Sequence, residues 1–184
     1  GLLSKKTQDP DSPTYDQAMT VPYKDSFFEG MDEEIGGLEG KRTWNIVDRD
    51  SIPKGTHILP TTWVFKIKRM PNGDIRSFKA RLCIRGDKQV EGIDYFETFA
   101  PVVAWSTIRL LIGLAGILGL ETMQVDFSNA FVHAMLLQDE EVYIEIPRGY
   151  STEGSNKVLK LRKSLYGLRQ APLRWFDHLK DGLI

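Results

Sequence analysis

Apolar side chains follow two different periods in the first half of this 184-residue chain. From Tyr23 to Leu38 they recur every three or four positions with acidic residues between them, which is typical of an amphipathic helix. Residues 1–22 are polar and interrupted by proline, which indicates a flexible linker. We therefore expect a linker at 1–22 and a domain at 23–184 that begins with a helix.

The stretch TTWVFKIKRMPNGDIRSFKARLCIR has the strand period and predicts a β-hairpin, because two alternating runs flank Asn72-Gly73. A two-residue turn at Asn72-Gly73 fixes the register of the two strands. One face then consists of the apolar pairs Trp63–Leu82, Phe65–Ala80 and Ile67–Phe78. The other face is basic, with Lys66 opposite Lys79 and with Lys68 and Arg81 beside them. Each face is uniform in character, one apolar and one largely basic, which supports this register.

The basic face of the hairpin requires an explanation, because like charges directly opposed across a sheet are destabilising. Flexible stems that hold the charges in solvent are one explanation. A clamp for phosphate is the other, since an anion between the cations relieves their repulsion. The spacing of these residues alone favours neither explanation.

The second half of the chain predicts further helices and strands, and hence an α+β fold. Ser106 is a candidate N-cap for a helix to about Gly119, and the apolar stripe 108–120 indicates core packing. TMQVDF and EVYIEI are predicted strands, the second with Val142, Ile144 and Ile146 on one side. KVLKL predicts a short strand, and LRWFDHLKDGLI a basic, aromatic closing helix. Between them Asp139, Glu140 and Glu141 indicate a solvated turn.

Composition fits a soluble globular domain, with 41% hydrophobic and 27% charged residues. The net charge of −1 conceals two blocks with excess basic residues, 41–88 and 155–184, which hint at an anionic partner. The single cysteine, Cys83, cannot form an internal disulfide, which favours an intracellular setting. The longest apolar run is too short to span a bilayer, so no membrane partner is expected. Because the chain begins with Gly1, we expect a fragment of a longer protein.

Asp126 lies within the apolar stretch QVDFSNAF, where a carboxylate is costly to bury without a cation. It could cap the next turn, with Ser128 and Asn129 supplying turn chemistry. It could also be a ligand of Mg²⁺, which usually takes one or two carboxylates together with substrate phosphates. The residues leave both interpretations open. Among the aromatic residues, Trp63 and Trp105 are expected in the core, and Trp175 is the best candidate for stacking on a base.

Five segments together resemble one family. FFEGMDEEIGGLEGKRTWNIV, the hairpin, EGIDYFETFAPVV, QVDFSNAF and KSLYGLRQAPLRWF are similar, in this order, to the reverse transcriptase domain of Ty1/copia-type retrotransposon Pol polyproteins. The resemblance implies the fingers and part of the palm of a right-hand polymerase, with an incomplete palm sheet. It also implies an RNA-directed DNA polymerase that transfers nucleotides with Mg²⁺.

The resemblance assigns roles to individual positions. Asp126 matches the first metal-binding aspartate, and the Phe127 carbonyl would be an added metal ligand. Phe131 matches the aromatic gate that rejects a ribose 2′-OH, and Tyr166 and Gly167 match the motif that lines the nucleotide. The four hairpin cations lie where the fingers grip the triphosphate. The implied partners are a template-primer of RNA or DNA, a dNTP, and the integrase and RNase H parts of Pol. The implied location is a cytoplasmic virus-like particle, or the nucleus.

The sequence departs from the family in lacking the Tyr-x-Asp-Asp motif, which supplies two further metal-binding aspartates and would lie beyond Ile184. We therefore expect the 184 residues to be inactive alone, with an exposed sheet edge and apolar face. Two alternatives are a non-catalytic nucleic-acid-binding remnant of a decayed element, and an unrelated metal-dependent phosphoryl-transfer or nuclease domain. The second alternative requires another carboxylate close to Asp126 within this chain.

Overall fold

The predicted amphipathic helix is present as α2 (Lys24–Gly40) in the computed structural model, which describes residues 9–20, 22–152 and 156–183. Its buried apolar side chains are three to four positions apart, so they form one stripe along the helix: Phe27, Met31, Ile35 and Leu38. This stripe packs against the second strand of the hairpin. The helix continues through Gly36 and Gly37 to Gly40.

The described residues form a mixed α/β fold with two sheets. The remaining helices are α1 (Tyr15–Ala18), α3 (Trp105–Leu118) and α4 (Ala171–Leu183). The strands are β1 (Trp44–Asp48), β2 (Ile58–Leu59), β3 (Thr61–Arg69), β4 (Ile75–Ile84), β5 (Tyr143–Ile144) and β6 (Lys157–Leu161). Strands β3 and β4 make the two-stranded hairpin, and the other four form one sheet in the order β1-β6-β5-β2. Only the β2–β5 pairing is parallel among these strand pairs.

The hairpin has the predicted register, although its turn differs from the prediction. The pairs Trp63–Leu82, Phe65–Ala80 and Lys66–Lys79 are all observed. The turn is longer than two residues, because the Gly73 N–H donates to the Met70 carbonyl and the Met70 N–H donates to the Asp74 carbonyl. A register shift between Lys68 and Arg69 offsets the extra residue. A bulge beside the turn thus preserves the alternation of the two faces.

The second half of the chain departs from the predictions at three places. Helix α3 begins one residue before Ser106, and its N-cap is Ala104 without a side-chain hydrogen bond. The prediction that the stripe 108–120 packs in the core is wrong, because Ala115 is the one buried residue of this helix. The predicted strand TMQVDF is absent, and residues 120–127 have no regular secondary structure. A strand needs a neighbour for its backbone groups, and no described strand pairs with this stretch.

Several apolar side chains of this region are exposed, among them Ile117 of the stripe that was predicted to pack in the core. Ile117 is 81% exposed, Met123 87% and Val125 57%. The Trp105 side chain is 74% exposed, so its predicted place in the core is wrong, whereas Trp63 is buried as predicted. No helix among the described residues is long and apolar enough to cross a membrane.

Residues 9–20 pack on the hairpin, which differs from the flexible linker that their composition indicates. Thr14 and Gln17 form a capping box that starts α1, and Ala18 of α1 is buried. The Ile67 N–H donates to the Asp11 carbonyl at 2.8 Å, so the segment occupies a backbone group at the free edge of β3. Residues 1–8 lie outside the described residues, and the boundary at 22/23 stays a prediction.

Candidate functional site

The basic face of the hairpin lines a cavity of about 380 Å³. Helix α2 forms one wall: it packs on β4, and its residues Gly30, Glu33 and Glu34 line the cavity. All four predicted hairpin cations line the cavity: Lys66, Lys68, Lys79 and Arg81. The cavity is also lined by Asn129, which belongs to the predicted metal-binding segment QVDFSNAF. The fold therefore brings the basic hairpin and this segment to one cleft.

Contacts between aromatic and cationic side chains connect the two sides of the cleft. The Arg81 guanidinium lies over the Tyr166 ring, 5.1 Å from its centroid. The Phe131 ring meets the Tyr166 ring edge-on, with 5.1 Å between the centroids. Phe131 and Tyr166 are both half-buried. Three residues that the sequence singled out separately thus form one continuous contact chain.

Asp126 is exposed and lies outside the cavity lining. Burial raises the pKa of the Tyr166 phenol, and the Asp126 carboxylate contributes to this rise in pKa, so the two groups are within electrostatic range. Asn129 is the N-cap of a 3₁₀ turn (Ala130–His133), with φ 53° and ψ 46°. This left-handed conformation is sparsely populated by residues with side chains and is enriched at functional sites.

Gly167 has a backbone role that the sequence did not indicate. Its φ is +92°, and a Cβ added here would lie 2.1 Å from the Ile84 carbonyl oxygen. The Ile84 N–H donates to the Tyr166 carbonyl at 2.8 Å. Glycine therefore lets the Tyr166–Gly167 turn cross the end of β4 closely enough to place Tyr166 under Arg81.

Glu34 is a cavity residue that the sequence reasoning missed. Its carboxylate accepts a hydrogen bond from the Leu82 N–H at 3.3 Å. Burial is the main cause that raises its pKa, while Arg81, Lys41 and Lys79 act in the opposite direction. The signal was present in the sequence, because Glu34 follows Phe27 by seven positions and Met31 by three. That spacing puts the carboxylate on the packed side of α2.

A second missed feature is a buried amide network next to the Tyr166–Gly167 turn in the chain. Gln89 and Gln170 are both buried, and the Gln89 Nε2 donates to the Gln170 Oε1 at 3.0 Å. The Gln170 Nε2 donates to the Asp94 carbonyl, and the Arg169 N–H donates to the Gln89 Oε1. His57 Nδ1 lies 2.7 Å from the Asp94 carboxylate. The network ties LYGLRQAP to the EGIDYFETFAP loop, although no periodicity marks these residues.

Glu140 is not part of a solvated turn, contrary to the prediction. Its side chain is 8% exposed and forms a bidentate ion pair with Arg174, at 2.9 and 3.0 Å. Next to Arg174, the Trp175 ring contacts Phe127, with 5.1 Å between the centroids. The Phe127 contact attaches α4 to the stretch that carries Asp126, and the ion pair attaches it to the turn that carries Glu140. The proposed stacking of Trp175 on a base stays a prediction.

The fit of these residues to a magnesium ion is partial. Asp126 is a hard oxygen donor, which suits Mg²⁺. Within the described ranges, however, no group of three His, Cys, Asp or Glu side chains could hold a metal ion. Asp126 therefore fits one ligand position of a metal site and does not complete one.

Comparison with known proteins gives a consistent result. Residues 41–184 match the family described as "Reverse transcriptase (RNA-dependent DNA polymerase)". The chain is 40% identical over 161 residues to the Retrovirus-related Pol polyprotein from transposon TNT 1-94 of Nicotiana tabacum, covering 87% of this chain and 12% of that protein. It is 37% identical over 155 residues to the Pol polyprotein from transposon RE1 of Arabidopsis thaliana, covering 84% and 10%.

A more distant relative comes from yeast. The Transposon Ty1-H Gag-Pol polyprotein of Saccharomyces cerevisiae is 30% identical over 185 aligned positions, covering 92% of this chain and 9% of that protein. The chain thus spans about a tenth of the length of the curated relatives it matches. No solved structure matches it.

Proposed function

Because this chain belongs to the reverse transcriptase (RNA-dependent DNA polymerase) family, in the form found in Ty1/copia-type Pol polyproteins, we propose that its cleft binds the incoming nucleotide during RNA-directed DNA synthesis. Residues 23–184 would be the fingers and the front part of the palm. The observation that carries the proposal is the cavity that Lys66, Lys68, Lys79 and Arg81 share with Asn129. Several cations around one cavity of this size suit a triphosphate.

The individual roles follow from the arrangement of the cleft. The four cations would neutralise the triphosphate, and Arg81 is held by its contact with the Tyr166 ring. Phe131 packs edge-on against Tyr166 and would present its ring beneath the sugar, where a 2′-OH would clash. Tyr166 would line the nucleotide, and Gly167 would hold that turn against β4. Positioning and charge neutralisation are the main requirements of phosphoryl transfer.

Asp126 and the Phe127 carbonyl would be the ligands that this chain supplies to Mg²⁺. The metal, when bound, would neutralise phosphate oxygens and activate the primer 3′-OH. Because further carboxylates are needed and the 184 residues contain no Tyr-x-Asp-Asp sequence, we propose that this polypeptide alone is inactive. Primer extension on poly(rA)/oligo(dT) should show no Mg²⁺-dependent synthesis, and detectable synthesis would contradict the proposal.

Nucleotide binding can be tested without catalysis. The 184-residue chain should bind dTTP, and Lys79→Ala and Arg81→Ala should each weaken binding several-fold, since each removes a charge-assisted contact. Arg76→Ala is the matched control, because Arg76 is an exposed cation of the same strand outside the cavity lining. If all three variants weaken dTTP binding equally, the loss of affinity comes from the lower net charge of the protein. That result would contradict a specific nucleotide site in the cleft.

The Asp126 and Phe131 roles require a Pol protein with an intact Tyr-x-Asp-Asp motif. There, Asp126→Asn should abolish primer extension and leave template binding largely intact, whereas Asp139→Asn, at an exposed acid of the following loop, should not. Phe131→Val should admit ribonucleotides. An unchanged preference for deoxyribonucleotides would contradict the gate role.

The wider context is also part of the proposal. The relatives are Pol polyproteins, which supports a template-primer and the integrase and RNase H parts of Pol as partners. A cytoplasmic particle or the nucleus would be the site of action. Of the two alternatives, the unrelated nuclease domain is wrong, because the family match covers residues 41–184. The non-catalytic remnant would be favoured if template binding weakens with salt but does not change when a nucleotide is added.

A further inference from the structure

One of the four cleft cations is already engaged by a carboxylate of the same chain. The Lys66 ammonium lies 2.6 Å from the Asp9 carboxylate and donates to the Ser12 hydroxyl at 3.1 Å. Asp9 and Ser12 belong to an acidic segment, residues 9–12, which precedes α1. Lys68 and Lys79, by contrast, form no ion pair with a described carboxylate. Arg81 forms no such pair either, so among the described residues one cleft cation has an internal anion and three do not.

The acidic segment is held on the hairpin by contacts other than the Asp9–Lys66 pair. The Asp11 carbonyl accepts from the Ile67 N–H, and the Asp11 carboxylate accepts from the Arg69 guanidinium at 2.9 and 3.1 Å. Further along, the Tyr15 ring packs near Phe65, with 6.2 Å between the centroids. Asp9 is therefore kept beside Lys66 by neighbours that do not themselves line the cavity.

A carboxylate and a phosphate oxygen compete for the same donors of a lysine. Both are oxyanions that accept charge-assisted hydrogen bonds, so an ammonium donating to Asp9 and Ser12 has fewer donors left for a phosphate. A triphosphate that reached Lys66 would also bring several negative charges close to Asp9, which costs free energy. The pair is exposed, at 49% and 51% for the two side chains, so its displacement is inexpensive.

We infer that the acidic segment is an intramolecular competitor of the triphosphate: Asp9 occupies Lys66 in the resting chain and must be displaced for that cation to join the nucleotide site. This inference rests on the proposed function of the cleft. It assigns residues 9–12 the role of lowering nucleotide affinity, which their composition did not suggest.

The test is calorimetric titration of the 184-residue chain with dTTP and with inorganic tripolyphosphate at low ionic strength. Asp9→Ala should tighten binding of both ligands about two- to fivefold, the range expected for loss of one exposed ion pair. Asp16→Ala removes the same charge from the neighbouring helix, where its partner is Arg148, and should change affinity far less. In a Lys66→Ala background, Asp9→Ala should have no effect.

The possible failures are distinguishable. If Lys79→Ala and Arg81→Ala weaken binding while Asp9→Ala leaves it unchanged, the cleft binds triphosphate and the competitor role is wrong. If Asp9→Ala and Asp16→Ala tighten binding equally, the effect is long-range charge and the role is also wrong. If Lys79→Ala and Arg81→Ala have no effect, or no variant binds, the proposed cleft fails and this inference fails with it. Asp9→Asn repeats the test with a side chain of the same shape.

Discussion

Helix α2 packs along one side against the hairpin, whereas helix α3 exposes nearly all of its apolar side chains. Acidic residues separate the apolar positions of α2, so a single neighbour covers its stripe. Helix α3 is apolar on most of its surface, as in TIRLLIGLAGIL, which is typical of a helix that neighbours cover on all sides. No described element packs extensively on it, so nearly all of its apolar side chains are exposed. The apolar content of a segment therefore does not decide whether it is buried, because burial also requires neighbouring elements that cover its apolar positions.

The same difference separates the two sides of the proposed cleft. The cations lie on a hairpin with a fixed register and a packed apolar face, whereas Asp126 lies in a stretch without regular secondary structure. The cationic side is thus preorganised by core packing. The Asp126 side is held through Tyr166, Phe131 and the contact of Phe127 with Trp175.

The largest expected effect tests whether packing really differs between the two helices. Phe27 of α2 is fully buried and meets Phe65 and Phe78 edge-on, at 4.9 and 5.0 Å between centroids. Phe27→Ala should lower the free energy of unfolding by about 3–5 kcal/mol, through lost burial and a cavity. Leu111→Ala on α3, where Leu111 is 59% exposed, should change it by at most about 0.5 kcal/mol. Urea denaturation measures both, and equal losses would contradict the comparison.

The next prediction concerns the turn that joins the two sides. Gly167→Ala should cost about 1–3 kcal/mol from its left-handed backbone conformation, and more because the new Cβ meets the Ile84 carbonyl. Gly36→Ala is the matched control. It lies inside α2 with open space around its Cβ position, and should stabilise the chain by about 0.5–1 kcal/mol. Thermal unfolding of both variants would show opposite signs, and a neutral Gly167→Ala would contradict the close crossing.

A third prediction tests how α4 is attached to the turn that carries Glu140. Glu140→Gln should destabilise the chain by about 1–3 kcal/mol, because the Arg174 guanidinium loses its bidentate partner at a site where both side chains are nearly buried, and keeps only the more distant, exposed Asp177 carboxylate at 3.6 Å. Asp139→Asn, one residue earlier and exposed, should stay within about 0.5 kcal/mol. If the two changes cost the same in urea denaturation, Glu140 behaves as the solvated residue that the sequence indicates.

Sequence patterns predicted the packed half of the molecule well, because its elements are amphipathic with a clear period. The stripe of α2 and the register of the hairpin are both observed. The same patterns failed for the TMQVDF strand, since strand formation depends on a partner that local sequence cannot specify. They also missed the contacts of Glu140 with Arg174 and of Gln89 with Gln170, which join residues 34 and 81 positions apart. The cleft cations were predictable because alternation alone puts them on one face.

The smallest predicted effect concerns the pH dependence of stability, through Glu34 at the boundary of core and cleft. Burial raises the pKa of its carboxyl above the value of 4.5 that it has in the unfolded chain. Between these two pKa values the folded protein binds the proton more tightly than the unfolded chain does. Stability therefore falls as pH rises from 4.5 through the folded-state pKa, and the loss is complete above it.

Glu34→Gln removes that ionisation and keeps an oxygen that can accept from the Leu82 N–H. The variant should match the parent below pH 4.5 and become slightly more stable than it toward neutral pH. Glu33→Gln, at the exposed neighbouring position of the same helix and cavity, controls for the loss of one negative charge beside the cations. The measurement is the urea midpoint of each protein across this pH range. If the midpoints of Glu34→Gln and the parent change with pH in parallel, burial does not disfavour the ionised Glu34 carboxylate.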